Sequence, residues 1–144
     1  MINTIDKLLQ LMDVLHDKDA LEQLVEELYT DDAFFEDPLV RADGLRAIQK
    51  MWRSFGAMCS EFHARIQRQL VEDNAVVVEW EMQSKARMWP ISVTIPVVSW
   101  LEINGQGKIV SHKDYWDVMT AMRRLLPVAK PVEKLLPGAL GRGR

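Results

Sequence analysis

The sequence predicts an α+β domain in which three N-terminal helices pack on one side of an antiparallel sheet. Three observations carry this. Apolar residues recur three and four apart through the first 55 or so residues. From about residue 60 the period drops to two. Apart from one short strand, the helical and extended halves are segregated rather than alternating, which argues against a parallel βαβ sheet.

Ile5, Leu8, Leu9, Met12 and Leu15 form one stripe over residues 3–16, with Asn3 or Thr4 able to cap the start. A second helix from about Lys18 to Tyr29 aligns Leu21, Leu24, Val25 and Leu28, capped by Asp17 or Asp19. Residues 33–37 leave the helical period and read as a short strand ended by Pro38. Leu45, Ile48, Met51, Trp52 and Phe55 then define a third helix, with Asp43 as its expected N-cap. Beyond Gly56, Phe62, Ala64 and Ile66 alternate with His63, Arg65 and Gln67. A turn at Asp73-Asn74 leads into a strand that sets Val76, Val78, Trp80 and Met82 on one face. "ISVTIPVVSWLEI" (91–103) is apolar on both faces, so burial on both is expected. "NGQG" reads as a hairpin turn, and "KIVSHKDYWDV" (108–118) as the last strand.

The chain has 144 residues, 48% hydrophobic and 27% charged, which suits one domain with a single core over residues 1–122. Residues 123–144 form a basic, proline-containing tail, with six bases against Glu133 alone; that net +5 leaves −8 on the body. An acidic body argues against nucleic acid as a partner. Pro127, Pro131 and Pro137 deny the tail a long helix, leaving short helical turns and a disordered "GRGR" end. Its bases suit contact with anionic lipid, but packing over a pocket mouth or a neighbouring subunit covers its aliphatic residues better. There is no apolar run of about 18 residues, and the N-terminus is acidic where a signal peptide is basic. The single cysteine, Cys59, excludes an internal disulfide and fits a reducing cytoplasm. It has no zinc-ligand neighbours, and no glycine-rich phosphate loop is present, so chemistry without metal or cofactor is expected.

Asp37 has two readings: a turn residue before proline accepting backbone N–H groups, or a general base desolvated by neighbouring aromatics. Asp114 shares a strand face with His112 and Trp116, which fits either a strand-end ion pair or a working carboxylate. His63 belongs to a polar, solvated face. Of the tryptophans Trp52, Trp80, Trp89, Trp100 and Trp116, most are expected in the core or a dimer contact, with Trp80 and Trp116 the better pocket candidates. Trp100 faces away from Ser99 and, with Val98, can build a dimer interface.

"DDAFFEDP", "GLRAIQKMW" and "INGQGKIVSHKDYWD" together resemble the cone-shaped fold shared by nuclear transport factor 2, the SnoaL-like polyketide cyclases, the ketosteroid isomerases and limonene epoxide hydrolase, over roughly residues 5–120. The resemblance implies a nuclear transport factor 2-like cone, with a curved sheet around the helices, a pocket between them, and a homodimer through the outer sheet face. Similarity to ketosteroid isomerases puts Asp37 at the general-base position. Leu11 or Met12 and Ser99 stand where that family has its oxyanion-hole tyrosine and aspartic acid. Similarity to limonene epoxide hydrolase puts Asp114 at a water-activating position, with Trp80 and Met82 where that enzyme has arginine and aspartate. The expected catalytic set is therefore Asp37, Asp114 and His112. The expected pocket wall is Phe35, Trp52, Trp80, Met82, Ser99 and Trp116. Three functions follow: cofactor-free proton transfer of isomerase or cyclase type on a small hydrophobic molecule, hydration of an epoxide-like substrate, or ligand binding without chemistry.

Overall fold

A computed structural model describes residues 2–88 and 91–125. The expectations for Trp89, and those for the tail beyond Leu125, fall outside the described residues. The elements are α1 (Ile2–Asp13), α2 (Lys18–Leu28), β1 (Tyr29–Glu36), β2 (Arg41–Asp43), α3 (Leu45–Met58), β3 (Cys59–Glu72), β4 (Ala75–Ala86), β5 (Ser92–Ile103), β6 (Ile109–Tyr115) and α4 (Val118–Leu125).

The helices form where the apolar stripes lie. Asp17 rather than Asp19 caps α2, its carboxylate accepting the Ala20 N–H at 3.1 Å. Asp43 does not cap α3. Gly44 occupies the N-cap with φ 85°, and no side chain bonds the exposed amides there. Asp43 instead pairs with Arg41 at 2.9 Å, since residues two apart on β2 share a face. The faces carrying Leu11, Leu21, Val25 and Ile48 are completely buried. Each such side chain contributes roughly 1.5–3 kcal/mol relative to exposure. Gly56 lets α3 cross the end of α1 closely, since a Cβ there would collide with the Leu15 carbonyl.

The six strands run in the order β2-β1-β6-β5-β4-β3. The expected all-antiparallel sheet is corrected to a mixed one, because β1 pairs in parallel with β6. A register shift between Ile66 and Arg68 marks a bulge in β3, the device by which strands bend. Asp73 at φ 51° and Asn104, which accepts the Gln106 and Lys108 N–H groups at 3.0 Å, close the two hairpins at their expected places. Asp117 accepts the Thr120 N–H and opens α4, so the last strand stops at Tyr115, before the expected Val118.

Burial of β5 on both faces is also corrected. Its residues alternate strictly between exposed and buried. Val93, Ile95, Val97, Ser99 and Leu101 face the helices, while Val98 (37%) and Trp100 (45%) stay exposed. The apolar outer positions have no covering layer within the described residues of the chain. On the same face β3 and β4 carry cross-strand ion pairs, Arg68–Glu79 at 2.6 Å and Arg65–Glu81 at 3.5 Å. His63 is exposed, as its polar neighbours imply. No described helix is long and apolar enough to cross a membrane.

Candidate active site

His112 and Asp114 lie two apart on β6, so both side chains leave the same face of the sheet. His112 is 1% exposed. Its Nδ1 is 2.7 Å from the Tyr29 hydroxyl and its Nε2 is 2.9 Å from Asp114 Oδ1. Ser99 is paired with Asp114 across the β5–β6 ladder and donates its hydroxyl to the same oxygen. Trp80 Nε1–H donates to Ser99 Oγ at 2.9 Å. A line of five side chains from β1, β4, β5 and β6 therefore converges on one carboxylate oxygen.

The protons in this line can be assigned. Burial pushes the Tyr29 phenol far up, a shift partly offset by the nearby Trp52 indole N–H and reinforced by the negative charge of Asp114, so Tyr29 keeps its proton. Trp52 Nε1 itself has no hydrogen-bond partner of good geometry; it acts on Tyr29 as a dipole rather than through a formed bond. The hydroxyl then donates to His112 Nδ1, and Nε2–H donates to Asp114 Oδ1. In this arrangement a neutral imidazole uses both of its ring nitrogens. An imidazolium would leave the Tyr29 hydroxyl without an acceptor. Asp114 Oδ2 accepts nothing from the described residues, although the side chain is only 11% exposed. In effect the carboxylate is held by one oxygen and offered by the other.

Asp114 borders an apolar cavity of about 90 Å³. Phe35, Trp52, Trp80, Met82, Asp114 and Trp116 all line it, as the sequence suggests, and so does Asp37. Phe55 and Phe62, which are not in the expected wall, complete it with Met51 and Val97. The rings meet edge to face, Phe35 on Trp52 at 6.1 Å and Phe55 on Phe62 at 5.1 Å. Ser99 and His112 do not touch the cavity; they act through Asp114.

Asp37 sits at the neck. Its Oδ1 accepts the Leu39 and Val40 N–H groups, both at 2.7 Å, and its own N–H returns to the Val40 carbonyl at 2.8 Å. The turn reading is therefore realised. The same residue also lines the inner cavity and a wider outer chamber of about 640 Å³, as do Phe55, Met82 and Trp116. Cys59 lines the outer chamber, where burial pushes its thiol up and away from nucleophile range. Among the described residues no three His, Cys, Asp or Glu side chains are arranged to hold a metal ion.

Tyr29 is the member of this line that the sequence conceals. It falls at the end of the helical stripe of α2 and reads as its last turn, yet it is the first residue of β1. The only available signal is that a polar-tipped aromatic on a buried stripe needs a partner.

The model of the SnoaL-like domain matches residues 8–112. The chain belongs to the SnoaL-like domain family. Among curated proteins no relative matches it. Solved structures share its fold at low identity. A SnoaL-like polyketide cyclase described as putative, from Jannaschia sp., superposes with a TM-score of 0.72 at 14% identity, covering 85% of this chain and 90% of that one. An epoxide hydrolase of Mycobacterium tuberculosis, similar to limonene epoxide hydrolase, gives 0.68 at 24%, covering 90% and 96%. A hypothetical protein of Catenulispora acidiphila with a ketosteroid isomerase-like fold, in complex with trimethylamine, gives 0.68 at 18%, covering 79% and 87%. These likenesses establish the nuclear transport factor 2-like cone for the SnoaL-like chain, and the fold alone.

Proposed function

We propose that this SnoaL-like protein binds a small, largely apolar molecule in the inner cavity and moves a proton on it without a cofactor, in the manner of an isomerase or cyclase. The observation that supports this best is the presentation of Asp114. A carboxylate fixed by His112 and Ser99 at the wall of an aromatic cavity, with one oxygen unused, has the geometry asked of a general base. Asp37 is the second carboxylate of the same cavity, able to take or return a proton from the neck.

The test is hydrogen exchange from heavy water into a panel of apolar ketones and enones, read by NMR. Wild-type protein should catalyse exchange α to the carbonyl. Asp114→Asn should lower the rate by about 10²–10⁴-fold, the usual contribution of a positioned base. Exchange untouched by this change would reject Asp114 as the base.

Hydration of an epoxide is the second reading. It rests on the same free Asp114 oxygen, which can hold a water. Trp80 and Met82 line the cavity where a polar water-holding set would be needed, so this reading has less support. Uptake of labelled oxygen into an epoxide, abolished in Asp114→Asn, would put it first. Ligand binding unaffected by either aspartate would leave a module without chemistry.

We also infer a homodimer through the outer sheet face, supported by exposed Val98, Trp100 and Tyr115 beside the cross-strand ion pairs.

A further inference from the structure

The charge of the inner cavity is unbalanced. Six of its eleven lining residues are aromatic: Phe35, Trp52, Phe55, Phe62, Trp80 and Trp116. Among the described residues the only ionisable ones are Asp37 and Asp114, and no described lysine, arginine or hydroxyl lines it. Arg41 and Lys50 are confined to the outer chamber, where Arg41 is already shared between Glu36 and Asp43. His112 meets Asp114 through Nε2 on Oδ1 alone, while its Nδ1 is taken up by the Tyr29 hydroxyl, so it leaves Oδ2 unpaired. Asp37 is satisfied by backbone N–H groups alone. Among the described residues, two carboxylates, each with one oxygen free, thus border an apolar space with no positive partner of their own.

Burying negative charge against apolar walls is unfavourable unless something cationic joins it. Aromatic faces carry negative potential and attract cations as well. Both components of the wall select for the same sign of ligand. Neither offers the donors that an oxyanion or carboxylate would require. We propose that the inner cavity takes a positively charged, alkyl-substituted ammonium head, with an apolar body lying in the outer chamber. The size divides the ligand in this way. About 90 Å³ is less than the ~150 Å³ of a cavity that accepts benzene, so only a compact head fits. The outer chamber, at about 640 Å³, lies within the roughly 300–1,000 Å³ of ordinary ligand sites. Alkyl groups on the nitrogen put apolar surface on the rings, while the charge faces Asp114 Oδ2 and Asp37. The proposal rests on the reading of this cavity as the ligand site and narrows its substrate to one whose mobile proton is on or beside a cationic nitrogen.

The test compares choline with its neutral isostere, in which carbon replaces the quaternary nitrogen. Binding to the full chain is followed by calorimetry and by quenching of tryptophan fluorescence, since Trp52, Trp80 and Trp116 line the cavity. Choline should bind at least about tenfold more tightly than the isostere. Asp114→Asn should remove most of that preference, and Asp37→Asn, at a half-exposed corner, should reduce it in a chain that keeps its fold. Equal or tighter binding of the isostere would overturn the ammonium assignment while leaving the cavity as a site for apolar ligands. A choline preference unchanged in both variants would place the cation elsewhere and also overturn it. Binding of neither probe would defeat the ammonium head and the cavity as ligand site together.

Discussion

Two carboxylates reach the same cavity from regions built in opposite ways. Asp114 is held by side chains of residues 15 and 2 positions away, Ser99 and His112, and through His112 by Tyr29, itself 83 residues from His112. Asp37 is held by the backbone of the next three residues. The first arrangement exists only when β1, β6 and β5 are assembled; the second would survive in a short peptide turn. The difference separates a corner from a presented carboxylate, which is why the proposed base is Asp114. An anchor made from neighbouring amides is how a chain makes corners, whereas a buried line of side chains that ends on an unused oxygen has no structural need for that oxygen.

This comparison can be broken at several depths. The largest effect is expected from Asp114→Ala, which strands the His112 N–H and the Ser99 hydroxyl. At roughly 1–3 kcal/mol for each unsatisfied buried group, the loss should be on the order of 3 kcal/mol in chemical denaturation. A loss below about 1 kcal/mol would show that the line is not formed in solution. Next, Tyr29→Phe should cost on the order of 1–3 kcal/mol and free His112 Nδ1, visible as changed imidazole nitrogen shifts by NMR. The same variant carries a pH signature. The folded-state phenol is raised above its ordinary value of about 10, so its contribution is complete below that pH and is lost as pH rises beyond it. Wild-type stability should therefore fall above about pH 10 in a manner that Tyr29→Phe removes, as thermal melts across alkaline buffers would reveal.

Asp37→Ala should cost about 1 kcal/mol, and Asp37→Asn, which keeps the accepting oxygen, less than about 0.5 kcal/mol. A larger penalty for the asparagine would mean that the charge itself holds the corner. The smallest effect on the fold belongs to Trp100→Glu. It should leave monomer stability within about 0.5 kcal/mol yet shift sedimentation from dimer to monomer. An unchanged sedimentation coefficient would remove the outer face as the interface.

The contrast between the two aspartates also explains what could be read ahead of the structure. Local rules served well: stripes placed α1 to α3, alternation placed β3 and β4, and "EDP" identified both the corner and its carboxylate. They failed where a residue answers to distant partners. Tyr29 fits the spacing of α2 and was assigned there, but pairing with β6 overrides that spacing. Asp43 has the chemistry of a cap, but Arg41 two residues away claims it. β5 is rich in apolar residues on both sides, yet only one side is buried in the described chain, a distinction that composition does not draw. The cavity wall was legible in Phe35, Trp52, Trp80, Met82 and Trp116, since inward alternation and helical spacing determine it. The line behind Asp114 was not, since parallel pairing of the first and last strands sets it.

That parallel pairing has a consequence for the life of the chain. β1 is synthesised early and must wait for β6, the last strand, before Tyr29 can meet His112. Closing so long a loop is entropically costly and comes late in folding. A ribosomal product truncated before Ile109 would still possess helical stripes and the β3–β4–β5 ladders, yet neither His112 nor Asp114. Asp114 therefore reaches its place beside His112 and Ser99 only after the chain has been made through β6.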